Sequence, residues 1–195
     1  MNPSRALLAA TTLLTSIPAF AADYTVDGSH SRVGFAVTHL TVSKVRGTFG
    51  TMSGTLSYDP KNIAATSIKA TVGIQSIDSD EAKRDEHLLS ADFLDVAKFP
   101  EMGFVSKSVK NIKKESFDVI GDLTIHGVTK EVALTVDTPS AEVKDPWGNI
   151  KVGAHAIGKI NRKDFGLTWN SVLEAGGFLV GEEVEIELDI ELKKS

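Results

Sequence analysis

The chain is predicted to be mainly β: about eight antiparallel strands arranged as a sandwich or a barrel, with one short helical insertion near residues 79–95. Three observations carry this. Apolar and polar residues alternate with period two in segment after segment, and alternate side chains of a strand point to opposite faces. Turn-forming Gly, Pro and Asp separate those segments. The three-to-four spacing of an amphipathic helix stands out in one place only.

In chain order, residues 1–21 read as a secretory signal peptide. Arg5 supplies a positive start, Ala6 to Ile17 is largely apolar, and Ala19 and Ala21 are the small residues a signal peptidase reads. Cleavage is expected after Ala21, leaving residues 22–195 as one domain. The apolar run is too short and too Thr-rich for a spanning helix. Val33, Phe35 and Val37 then share a strand face that runs on into His39. Residues 46–58 form the next candidate, ended by Asp59-Pro60. Ile68, Ala70, Val72 and Ile74 share another face.

The helix is expected over 79–95. Asp78 followed by Glu81 resembles a capping box, with Asp in place of Ser or Thr. Leu89, Phe93 and Val96 form a stripe that Leu88 widens. Asp80 and Arg84 have the i, i+4 spacing of a surface ion pair. Strands follow at 101–110 and 116–125, and His126-Gly127 predicts a two-residue hairpin turn into the face made by Val132, Leu134 and Val136. Asp145-Pro146-Trp147-Gly148 is a turn before a strand at 150–160, and Gly176-Gly177 marks another. The last strand is the clearest. Val184, Ile186, Leu188, Ile190 and Leu192 alternate with Glu183, Glu185, Glu187, Asp189 and Glu191. One face is aliphatic and belongs to a core or cavity; the other is acidic and belongs in water.

Composition excludes several functions. There is no cysteine, so disulfides, thiolate metal sites and thiol nucleophiles are impossible. The formal net charge of −5 becomes −6 without Arg5, a poor balance for holding nucleic acid or an anionic membrane face. None of the five histidines lies at a metal-ligand spacing, and no metal is expected. No nucleophile elbow or phosphate-cradling glycine loop is present. Arg84-Asp85-Glu86-His87 brings acid–base groups side by side, but successive helical residues diverge by about 100° and do not converge on one atom. Arg84 and His87, three apart, share a face.

Six motifs resemble the YceI-like family of periplasmic polyisoprenoid-binding proteins, in family order. They are Asp27-Gly28-Ser29-His30-Ser31-Arg32-Val33-Gly34-Phe35; Val45-Arg46-Gly47-Thr48-Phe49; Arg84 to Phe93; Gly121 to Lys130; Ile160 to Leu167; and the terminal strand Val184–Glu191. Tyr24, Leu94 and Lys163 depart from the family pattern.

The resemblance implies a single extended, lipocalin-like, eight-stranded antiparallel barrel with an apolar lumen. It implies a soluble periplasmic protein that binds, carries or sequesters a long-chain isoprenoid amphiphile, such as a polyprenyl phosphate or a polyprenyl quinone. No cofactor, nucleic acid or stable membrane insertion is expected; a homodimer is open. The lumen candidates are Val33, Phe35, Val37, Phe49, Ile68, Val72, Phe104, Leu123, Leu134, Val136, Ile186 and Leu188. The head-group candidates are Arg46, Arg84, His87 and Arg162. No residue is assigned a catalytic role. The alternative is a periplasmic enzyme on a lipid-like substrate, pairing His87 with Asp85, or His39 with a rim carboxylate. A second rival, an outer-membrane barrel, needs an apolar outer face, which the acidic face of the last strand opposes unless it turns inward; the resemblance decides against it.

Overall fold

The computed structural model describes residues 21–173 and 176–195. Except for Ala21, the expected signal peptide lies outside the described residues. Twelve strands and one α-helix follow in order: β1 (Ala22–Val26), β2 (Arg32–His39), β3 (Ser43–Phe49), β4 (Met52–Tyr58), β5 (Ser67–Gly73), β6 (Ile77–Asp78), α1 (Ala82–Leu89), β7 (Glu101–Lys110), β8 (Ser116–Ile125), β9 (Val128–Asp137), β10 (Val143–Lys144), β11 (Ile150–Asn161) and β12 (Val180–Lys194).

These strands make a closed antiparallel barrel of eight staves. Around the ring come β12, β1 with β2, β4 with β3, β5 with β6, β7, β8, β9 and β11, and β11 closes back on β12. Three staves are each broken in two. β1 pairs with the end of β12 (Val26 opposite Leu192), and β2 takes over along the same edge (Arg32 opposite Asp189). The stave expected as 46–58 is interrupted at Gly50-Thr51, so β3 pairs with β2 and β4 with β1. Alternation alone missed β1, β6 and β10, which are too short to establish a period.

The expected helix is corrected. It runs only from Ala82 to Leu89, and its N-cap is Glu81, whose carboxylate accepts from the Lys83 and Arg84 amides. Asp78 instead accepts from the Asp80 amide, and Asp80 has φ 63°, which no helix tolerates. The side chain of Asp85 accepts from Ser79 N and Oγ, holding the first turn from outside. Beyond Ser90 the chain folds back, with Leu94 N and Val96 N donating to Leu88 O and Leu89 O. Leu88, Leu89, Leu94 and Val96 still reach one apolar cluster, but through this turn rather than a continuous helical stripe. The His126-Gly127 hairpin holds, with both residues at positive φ (52° and 73°) as its turn type requires.

Two apolar clusters fill the barrel's ends. One gathers Tyr24, Leu56, Tyr58, Phe117, Val119 and Leu192; the other Phe49, Ile74, Ile77, Leu94 and Phe165. Leu123, Val132 and Leu188 touch both. Between them the wall is thinned by glycine. Phe35 lies across Gly47, directly opposite in the ladder, where a Cβ would come within 2.6 Å of its ring. Phe104 covers Gly121 from a diagonal position in the β7–β8 ladder. Both rings therefore lie against the wall instead of plugging the lumen.

Gly121→Val tests this. Its Cβ would collide with the Phe104 ring and sit 2.6 Å from Val105 O. A loss of about 2 kcal/mol is expected in urea unfolding, and Gly103→Ala, with open space to 3.9 Å, is the milder control.

Candidate functional site

The lumen holds an apolar cavity of about 290 Å³, near the low end of ligand pockets at roughly 300–1,000 Å³. All five inward residues of β12 from Val184 to Leu192 line it, a span of about 27 Å at the usual strand rise. All twelve apolar lumen candidates stand on its wall. Alternation places them there because a closed barrel has one interior, and every inward strand face must line it. The wall also includes Met52, Leu56, Ile77, Leu88, Phe93, Phe117, Ala154 and Ala156, which were not nominated. Ala154 and Ala156 carried a weak signal, since small residues punctuate the inward face of β11.

The head-group candidates fare differently. Arg46 faces outward on β3, opposite Ala36, and lends positive charge to Glu185. Arg84 is engaged at home: Nε donates to Ser79 Oγ at 2.8 Å and Nη2 to Ser79 O at 2.6 Å. No ion pair joins Arg84 to Asp80 among the described residues, against the spacing argument. His87 does not meet Asp85. Its Nε2 lies 3.1 Å from Asp92 Oδ2, and its ring packs edge-on to Phe93 and Trp169 at 5.0 and 4.9 Å. Asp92 and Trp169 are partners the sequence did not reveal, because both lie off the helix. Arg84 and His87, head-group candidates expected on one helix face, thus each turn to a partner of their own.

Of these candidates, only Arg162 lines the cavity. It is 3% exposed. Nε donates to Gly181 O at 2.8 Å, Nη1 to Leu167 O and to Trp169 O, and Nη2 to Val180 O at 3.3 Å. Burial pushes its pKa below the ordinary arginine value. The guanidinium is thus spent on carbonyls, tying Leu167 and Trp169 to the start of β12.

The outer face of β12 is acidic, and most of its acids have a basic partner. Glu183 meets Lys159, Glu185 meets Lys44, and Asp189 meets Arg32 and His155. Outward acids on this strand are the reverse of a lipid-facing barrel. No helix among the described residues is long and apolar enough to cross a membrane. Two groupings place carboxylate and imidazole atoms within 4.8 Å: Asp27, His30 and Glu191, and His155, Glu187 and Asp189. In the first, the Lys151 ammonium already bridges the two carboxylates. Tyr24, a departure from the family pattern, is buried and donates to Glu142 Oε1 at 2.8 Å; burial, then that carboxylate, pushes its phenol up to about 12.

A small closed barrel around an apolar lumen is the architecture of proteins that enclose one ligand. The sequence profile of the YceI-like domain matches residues 24–192, and the chain belongs to that family. It is 43% identical over 161 residues to Protein YceI of Salmonella newport, covering 82% of this chain and 83% of that one. The crystal structure of Burkholderia cenocepacia BcnA superposes with a TM-score of 0.73 at 22% identity, over 85% of this chain and 98% of the other. A polyisoprenoid binding domain from Saccharophagus degradans, implicated in plant cell wall breakdown, superposes at 0.63 with 16% identity, over 91% and 100% of the two chains.

Two predictions follow the polar groups. Arg162→Met leaves its carbonyls without donors and is expected to cost roughly 3 kcal/mol, with faster proteolytic cutting between Leu167 and Val180. Hydrogen bonds from Lys151, then Ser29 and His30, hold the Asp27 carboxyl far below the usual carboxylate range. A depressed native pKa contributes stability that is complete above about pH 4 and lost as pH falls through the native value. Asp27→Asn should therefore flatten the acid limb of the stability profile below about pH 4, measured by urea midpoints across pH.

Proposed function

We propose that this protein binds and carries, or sequesters, a long-chain isoprenoid amphiphile in the periplasm, with the chain laid along the barrel lumen. The observation that carries this reading is the apolar cavity running past the full inward face of β12. Membership of the YceI-like family supports it, as does the likeness to a polyisoprenoid binding domain. The signal-like segment at the start of the sequence supports export.

Burying a chain releases roughly 0.8 kcal/mol per CH₂ relative to water. The reservoir for such a lipid is a bilayer, however, so most of that gain cancels and transfer is close to balanced. That balance suits a carrier that must also let its cargo go. Binding rather than turnover is favoured because His87 and Asp85, the pair an enzyme would use, are engaged with different partners.

Mass spectrometry of the organic extract from natively purified protein is expected to show a polyprenyl lipid or quinone. A protein that takes up none when incubated with membranes would sink the proposal. Ala156→Phe projects a ring into the cavity from β11. It should lower prenyl-ligand uptake at least tenfold, about 1.4 kcal/mol, with an unchanged far-UV spectrum.

A further inference from the structure

Among the cavity's polar side chains, one oxygen is fully buried without a hydrogen-bond partner among the described residues. Thr55 and Lys69 are exposed residues opposite one another on β4 and β5. His155 turns its ring to Asp189 at 3.0 Å. Arg162 is held by four carbonyls. Thr66 differs. It lines the cavity, is 6% exposed, and its Oγ1 is buried with no hydrogen-bond partner among the described residues.

The position is built, not loose. Thr66 ends the 3₁₀ turn Ile63–Ala65, and its amide donates to Ile63 O at 3.0 Å. It opens the inward-facing series Ile68, Ala70 and Val72, and Ser67 pairs with Ser57, which sets Thr66 beside Tyr58. A buried hydroxyl without a partner costs about 1–3 kcal/mol, and valine would fill the same space without that cost. A cargo oxygen or nitrogen reaching this end of the lumen would remove the cost.

The surroundings select against an anion. The cavity's buried cation, Arg162, is bonded to Leu167 and Val180, whereas Thr66 sits with Tyr58 at the β4–β5 connection. The neighbouring acid is Asp59, itself buried, whose charge acts on Tyr58. A phosphate placed there would be desolvated beside a carboxylate.

We propose that Thr66 Oγ1 is a recognition point for an uncharged hydrogen-bonding group on the cargo, a hydroxyl or carbonyl, at the β4–β5 end of the lumen. This rests on the isoprenoid-binding reading and narrows it to neutral amphiphiles.

The test uses delipidated full-length mature protein and three probes of one chain length: geranylgeraniol, the corresponding hydrocarbon without oxygen, and geranylgeranyl phosphate. Wild type is expected to hold the alcohol about five- to tenfold more tightly than the hydrocarbon, and more tightly than the phosphate. Thr66→Val should erase the alcohol's advantage while leaving the hydrocarbon unchanged, and Thr66→Ser should keep it. The ligand-free Thr66→Val protein should melt no lower than wild type. Equal binding of alcohol and hydrocarbon by wild type, or an advantage that survives Thr66→Val, overturns the recognition point while the carriage reading stands. Preference for the phosphate overturns the neutral class. Failure of wild type to bind any of the three overturns both.

Discussion

Closure of the barrel by β12 is the constraint on which the rest of the structure depends. This strand pairs with β11 from Lys151–Lys193 to Asn161–Glu183 on one side, and with β1 and then β2 on the other. Its backbone satisfaction and its two faces are therefore decided together. With every aliphatic side chain of Val184 to Leu192 turned inward, the lumen is apolar from end to end. With the acids turned outward, cations gather on the surrounding strands: Lys44, Lys159, Arg32 and Lys151. A one-residue slip would reverse both faces at once.

Whether a small barrel encloses a cavity or a packed core is settled by the volume of its inward side chains. Here glycines and alanines sit on inward positions of several staves. Phe35 and Phe104 occupy the space that side chains at Gly47 and Gly121 would take, and both line the lumen. Charge is kept off this surface. Arg162 is the buried exception, and its donors are occupied by carbonyls. The result is a long apolar channel whose one unsatisfied buried side-chain atom, among the described residues, is a hydroxyl.

The strands and the cavity wall were legible because both follow from a period-two pattern whose meaning is local. The wall residues nominated on β2, β8, β9 and β12 needed only the knowledge that alternate side chains share a face. The charged residues were less legible. Arg84, Asp85 and His87 are neighbours in sequence, yet Arg84 and Asp85 each engage Ser79, and His87 engages Asp92. The helix was overextended for a related reason: Leu88, Leu89 and Val96 do reach one cluster, but positive φ at Asp80 precedes the helix and Ser90 turns extended at its end. A periodic stripe records that residues share a core, not that helix alone carries them there.

The sequence by itself determined the mainly β class, the inward and outward faces of its strands, the hairpin at His126-Gly127 and the family. Each is written within a few consecutive residues or in ordered motifs. Only the tertiary structure decided which cations answer the acids of β12, that Arg162 clamps carbonyls instead of waiting for a head group, and that Thr66 is left unpartnered inside the lumen. Those outcomes depend on atoms brought together from distant parts of the chain. Whether a polar side chain finds a partner is a property of that meeting, not of the residue or its neighbours in sequence.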